Sequence, residues 1–230
     1  MGGMDFRIFG PWHLLILAAV PLAALLLSRV KNSRVVVARS AGFLLMTNEL
    51  IWYVYRLRAE GFRFPEALPL QMCDLSLWLT VAAAITLKPR LFELAWYWGA
   101  AGASMALLTP DLWAPLCSYP TIYFFIAHGG LITTLLFLVW SGLARPRPGY
   151  WWKALLVLNG YAALLGIFNQ IFGTNYMFLC QKPESASLLD YMGPWPWYLA
   201  SGEAMGAAMF FGLWLPFRIS ARFSSRLLRQ

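Results

Sequence analysis

The sequence predicts an all-α, polytopic membrane protein of seven transmembrane helices, with its N-terminus outside and its C-terminus in the cytoplasm. Three observations carry this. The 230 residues are 60% hydrophobic and only 12% charged, with a mean hydropathy of +0.60, against about 45–50% apolar and about 25% charged for a soluble domain. The apolar runs approach the ~20 residues that cross a ~30 Å hydrocarbon core. The basic residues, finally, alternate between the two ends of successive runs.

Taken in order, the spans are 11–28, 40–57, 68–87, 91–109, 120–141, 151–172 and 195–216. After the odd-numbered spans come Arg29, Lys31, Arg34 and Arg39; Lys88 and Arg90; Arg145, Arg147 and Lys153; and Arg218, Arg222, Arg226 and Arg229. That side holds thirteen of the 18 Lys and Arg, so the positive-inside rule makes it cytoplasmic. The other side holds Arg7, Arg56, Arg58, Arg63 and Lys182, mixed with Asp5, Glu60, Glu66, Asp111, Glu184 and Asp190. A net charge of +8 thus follows topology and is no nucleic-acid signal. The first run has Pro11 and Pro21 and is followed by Arg29, so it reads as a full span rather than a cleavable leader. Trp12, Trp113, Trp151, Trp152, Trp195 and Trp197 fall near span ends, as an interfacial aromatic belt requires. Nothing suggests a second domain, and residues 1–230 read as one multi-pass domain of the plasma (bacterial inner) membrane.

Polar residues inside the spans are expensive and mark function. At 1.5 Å per residue, Asn48 and Glu49 lie ~13 Å below the outer surface, Cys73 and Asp74 ~9 Å, His128 ~13 Å and Glu203 ~12 Å, with Asn169 and Gln170 shallower. Five helices place their costly side chains in one half of the membrane, while the cytoplasmic half has Glu93 as its main exception. The pattern is that of one polar pocket opening outward. Small residues at Gly99, Gly102 and Ala103, and at Gly202 and Gly206, are expected to let helices approach closely.

The three cysteines separate by topology. Cys117 and Cys180 fall in outer loops, where a disulfide persists; pairing them leaves Cys73 as the odd thiol. A buried thiol needs a base or a cation to become a nucleophile, and His128, at matching depth, fits that role. A third group commonly orients such an imidazole; Asp74, Glu49 and Glu203 are all candidates, and the sequence does not choose among them. The other histidine, His13, lies near the end of the first span. The stretch 169–198 is rich in turn formers and aromatics, and reads as a lid or headgroup collar as readily as an interfacial anchor. Asn48, Asn169, Asn175, Tyr176, Trp195 and Trp197 are the substrate-binding candidates. No phosphate loop, HExxH or clustered metal-ligand spacing occurs, so neither cofactor nor metal is expected.

The segments LPLQMCD (68–74), PD (110–111), FFIAHG (124–129), GTNYMFL (173–179) and KPESASLLDYMGPWPWY (182–198) resemble the transmembrane protein 164 family and its bacterial YwaF-type relatives. The resemblance spans nearly the whole chain. It implies a phospholipid acyltransferase with a Cys and a His in its site, here Cys73 and His128. Gln71 departs from the family motif, which often has His there, and touches the surroundings of the site. The implied chemistry is attack by Cys73 on a lipid ester, an acyl-thioester, and transfer to a lysolipid-type acceptor with His128 as general base, the partners being membrane phospholipids and lysophospholipids. The same pocket could serve a lipid hydrolase with water as acceptor, or a transporter or lipid-binding protein. Against a transporter, no repeated half or pair of broken helices is seen.

Overall fold

The computed structural model describes residues 6–112, 114–183 and 187–227, with side chains as far as 220. Asp5, Trp113, Glu184 and Arg229 lie outside the described residues, as do the side chains of Arg222 and Arg226. Among the described residues the structure is all-helical, without strands. Eight α-helices form, α1 (Pro11–Ser28), α2 (Arg34–Glu60), α3 (Met72–Thr86), α4 (Pro89–Leu94), α5 (Ala100–Leu108), α6 (Tyr119–Trp140), α7 (Tyr150–Phe172) and α8 (Trp197–Leu227). A π-helical stretch, Ala95–Gly99, joins α4 to α5 in one rod, so the helical rods follow the seven expected runs.

Among the described residues, four helices (α1, α2, α6 and α7) are long and apolar enough to cross a membrane by length and composition. Their outward faces carry exposed Leu14, Leu22, Leu26, Leu44, Leu156, Leu164 and Ile171, an apolar surface that hydrocarbon accommodates and water does not. The protein is a membrane protein. The 15-residue α3 is apolar but shorter.

The chain divides into two compact units, Met1–Arg145 and Pro146–Gln230. In the first, α6 is the central helix, packed by α1, α2, α3 and α5. Glycines set the approach of its neighbours. A Cβ on Gly130 of α6 would come within 2.9 Å of Leu45 Cδ2 on α2, and one on Gly42 of α2 within 3.2 Å of Ala84 Cβ and 3.3 Å of the Val81 carbonyl on α3. Gly99, in the π-helical stretch, lets Leu131 and Leu135 of α6 and Thr80 of α3 close on the backbone. In the second unit α7 packs on α8, with short 3-10 turns at Tyr176–Phe178 and Leu188–Met192 against them.

Three expectations are corrected. The third helix begins at Met72, four residues later than expected. Pro69 has no N–H to give and disfavours helix at the residue before it, and Gln71 is extended. The second helix begins six residues earlier than expected, at Arg34, whose guanidinium donates to the Ser141 carbonyl at 2.7 Å while Arg39 donates to the Ile85 carbonyl at 3.3 Å. Gly202 and Gly206 make no close approach, since no heavy atom lies within 4 Å of where a Cβ would stand; of the first small-residue group, Gly99 provides the tight contact.

Candidate functional site

The late start of α3 decides the setting of the candidate nucleophile. Gln71 is the N-cap, so Cys73 is the second helical residue and Asp74 the third. The Gln71 N–H donates to Asp74 Oδ2 at 3.1 Å. Asp74 is therefore a capping residue, and its carboxylate sits where unpaired N–H groups and the helix dipole favour negative charge. Cys73 is a free thiol and is exposed.

Beside it lies a polar cluster contributed by three packed helices. Glu49 of α2 is fully buried. Its Oε2 accepts the Tyr123 hydroxyl of α6 at 2.6 Å, whereas Oε1 has no hydrogen-bond partner. Tyr123 is clamped face to face on Trp52, with ring centroids 4.2 Å apart and planes 9° apart. One turn along α2, Tyr53 also lies beside Glu49 and accepts the Trp78 indole N–H of α3 at 3.0 Å. Cys73 and Asp74 are within electrostatic reach of both Glu49 and Tyr123. Arg56, paired with Glu60 at 3.1 Å, also acts electrostatically on Asp74. A cavity of about 240 Å³ adjoins the cluster, lined by Tyr53, Arg56, Leu57, Gly61, Phe62, Ala67 and Pro69.

His128 stands on α6, half-buried, and leans on Phe124 with ring centroids 4.4 Å apart. Its Nδ1 is 2.9 Å from the Phe124 carbonyl. A carbonyl only accepts, so Nδ1 carries the proton in the neutral ring and Nε2 presents its lone pair. Five residues separate His128 from Tyr123, about 7.5 Å along the helix and about 140° around it. The structure thus gathers Glu49, Cys73, Asp74 and Tyr123, and sets His128 on a different face of α6 from Tyr123.

The third-group question is answered by a backbone atom. Asp74 caps α3, Glu49 holds Tyr123, and Glu203, in the second unit, accepts the Asn159 amide at 2.6 Å. None of these bonds reaches the imidazole, and the Phe124 carbonyl orients it. His13 is a structural histidine: it accepts the Phe9 N–H at 2.8 Å on Nδ1 and meets the Leu107 carbonyl at 2.6 Å on Nε2, which ties α1 to α5. Asn48 is half-buried beside Glu49 in sequence, with its amide nitrogen unpartnered.

The remaining candidates belong to the second unit. Asn169 is buried and knots the turn after α7: Oδ1 accepts from Thr174 Oγ1 at 2.8 Å and from the Tyr176 N–H at 2.9 Å, and Nδ2 donates to the Tyr176 carbonyl at 3.0 Å. Asn175 does the same for the next turn, accepting from the N–H groups of Cys180 at 3.0 Å and Gln181 at 3.3 Å. Tyr176 is buried, while Trp195 and Trp197 are exposed. Both asparagines are committed to the loop fold, so they are corrected from substrate ligands to turn formers. The Cys117–Cys180 bridge is also corrected, because all three cysteines are free. Each loop is held by its own hydrogen bonds instead, Cys180 by Asn175 and the Cys117 turn by Ser118, whose hydroxyl donates to the Pro115 carbonyl at 2.7 Å. Among the described residues no group of three His, Cys, Asp or Glu is placed to hold a metal ion.

Sequence reasoning missed Tyr123, Tyr53, Trp52 and Trp78. The available signal was their spacing: Trp52 and Tyr53 follow Glu49 at i+3 and i+4, the same face of the helix.

A model of the TMEM164 (transmembrane protein 164) family matches residues 8–214. The chain belongs to the TMEM164 family. Comparison with the curated proteins and with the solved structures finds no match. The family match covers every element from α1 to the middle of α8, and with it the whole Glu49–Cys73–Tyr123–His128 region of this TMEM164-family chain.

Proposed function

We propose that this chain is a membrane-embedded, cysteine-dependent lipid acyltransferase acting as one seven-span domain, N-terminus outside and C-terminus cytoplasmic. The observation that carries the reading is the free, exposed Cys73 thiol in the first turn of α3, on a helix packed against the one that presents His128 Nε2. With Lys88 marking the cytoplasmic end, the 15 residues of α3 rise about 22 Å of a ~30 Å core. Cys73 then stands about 8 Å below the outer edge of the hydrocarbon, beneath the phospholipid esters that lie at that edge. Non-helical backbone at that depth, here 68–71, belongs where it lines a cavity, and Pro69 lines one.

The reaction runs in two halves. Cys73 Sγ gives its proton to His128 Nε2 and bonds to the ester carbonyl carbon of a phospholipid; the C–O bond breaks and the lysolipid oxygen takes that proton from His128. The acceptor hydroxyl then gives its proton to His128 Nε2 and its oxygen attacks the thioester; the C–S bond breaks and the proton returns to sulfur. No cofactor is required. With water as acceptor the same site is a hydrolase. The cavity beside Tyr53 and Arg56 supports a second reading, in which this face binds a lipid without reacting with it.

Acyl-transfer kinetics in phospholipid nanodiscs test the proposal. Cys73→Ser and His128→Ala are each expected to abolish transfer, and the double variant to be no worse than either, as for residues that act as a unit. Transfer that survives Cys73→Ser removes the reading.

A further inference from the structure

The cavity of about 240 Å³ at the end of α2 is built by two pieces of chain. Tyr53, Arg56 and Leu57 stand at i, i+3 and i+4, on one face of the helix. Gly61 then carries the chain off the helix at φ 73° and ψ 173°, a backbone conformation essentially confined to glycine. In the turns that follow, the Ala67 N–H donates to the Arg63 carbonyl at 2.7 Å and the Leu68 N–H to the Pro65 carbonyl at 3.2 Å. They bring Ala67 and Pro69 back against that face of α2. Leu57, Phe62, Ala67 and Pro69 make the walls apolar, and the Tyr53 hydroxyl is taken by the Trp78 indole N–H at 3.0 Å. Among the described residues, Arg56 is the one charged group of the lining.

Arg56 is half-buried, and its guanidinium is only partly engaged. Nε and Nη2 both donate to a single oxygen, Glu60 Oε2, at 3.2 and 3.1 Å. Among the described residues nothing accepts from Nη1, so the Nη1–Nη2 edge keeps the parallel pair of donors that matches two phosphate oxygens. The level is that of lipid phosphates. The 27 residues of α2 rise about 40 Å, the thickness of a bilayer with its headgroup layers, and Arg56 is four residues from the end. Leu57 and Phe62 are exposed, so the apolar wall continues onto the surface. A free anion gains nothing from such walls, and a neutral lipid nothing from the guanidinium. A lipid that carries a phosphate satisfies both. The volume is below the ~300–1,000 Å³ of sites that enclose a whole small ligand, so the cavity takes only the part of the lipid next to its phosphate.

We propose that this cavity is a glycerophospholipid site, in which Arg56 binds the phosphodiester through its Nη1–Nη2 edge while Leu57, Phe62, Ala67 and Pro69 hold the glycerol and the first acyl carbons. Glu60 is a positioning residue that keeps the guanidinium aimed. The inference rests on the reading that the chain acts on membrane lipids, and adds to it the residue that selects phosphate-bearing lipids over neutral glycerides.

Native mass spectrometry of the full-length protein in a maltoside detergent tests it, because a bound lipid adds its whole mass and acylation adds only the acyl chain. The probes are dioleoyl phosphatidylcholine, whose net charge is zero, dioleoylglycerol, which lacks the phosphate, and inorganic phosphate. The native chain is expected to bind phosphatidylcholine at least about tenfold more tightly than dioleoylglycerol, and Arg56→Gln to remove the difference. Arg56→Lys, which keeps the charge without the fork, is expected to lose part of it. Arg58→Gln, at an exposed arginine outside the lining, is expected to leave binding unchanged. Ala67→Phe, which fills the cavity, is expected to lose the lipid with Arg56 still in place. Equal binding of the two lipids by the native chain overturns the site without any variant having to fold. So does an equal loss in Arg56→Gln and Arg58→Gln, or displacement of phosphatidylcholine by inorganic phosphate, which would make this a site for the free anion. Phosphatidylcholine bound through Arg56 with no acyl adduct on the native chain would uphold the site and sink the acyltransferase reading. An acyl adduct that forms as readily from dioleoylglycerol as from phosphatidylcholine would do the reverse.

Discussion

The Tyr123 hydroxyl of α6 reaches across to the buried Glu49 carboxylate of α2 at 2.6 Å, and this bond, with the Trp52–Tyr123 stack beside it, joins the helices that carry the candidate site. Where water is scarce, a hydrogen bond to a carboxyl group is among the stronger polar contacts a helix pair can make.

Tyr123→Phe is therefore expected to keep the ring stack and lose the bond, at about 1.5–3 kcal/mol. Reversible unfolding in mixed micelles measures this. In a double-mutant cycle with Glu49→Gln the coupling is expected to reach about 1 kcal/mol or more. Additive losses would mean that the two side chains do not interact.

Asp74 is expected to behave as a helix cap. Asp74→Ala removes the acceptor of the Gln71 N–H and is expected to cost about 1 kcal/mol, with Asp74→Asn costing less. Loss of all acyl transfer in Asp74→Asn at unchanged stability would give Asp74 a chemical role instead.

The glycines separate packing from mere composition. Gly42→Val is expected to force α2 off α3, since a Cβ there already meets Ala84 at 3.2 Å and the Val81 carbonyl at 3.3 Å, with a cost of about 1–3 kcal/mol. Gly202→Ala and Gly206→Ala, with open space around them, are expected to be neutral or to stabilise by up to about 1 kcal/mol. Thermal melts of the three variants decide it, and destabilisation by Gly202→Ala would show that α8 is closely packed there.

The helical class and the course of the runs were legible because hydropathy and length suffice for them, as Pro11–Ser28 and Tyr150–Phe172 show. The site was legible only in its residue types. Asp74 drew attention as a charge deep in a span, yet Pro69 two residues before the cap was the stronger signal and placed Asp74 at a helix start. Depth counting put Glu49 and His128 on one level, but level alone does not fix direction around a helix. The group that orients His128 could not be read at all, because it is the carbonyl of Phe124 and every residue has one. Asn169 and Asn175 looked like ligands for the same reason that they make turns, since a short amide side chain bonds nearby backbone as readily as a substrate.

The account stands most directly on intact-protein mass spectrometry after incubation with phospholipid. The predicted result is a single fatty-acyl adduct, released by neutral hydroxylamine as a thioester is, mapped to Cys73 and missing from Cys73→Ala protein that still inserts and folds. An adduct that persists in Cys73→Ala, or none in the native chain under conditions where lipid is bound, would contradict it.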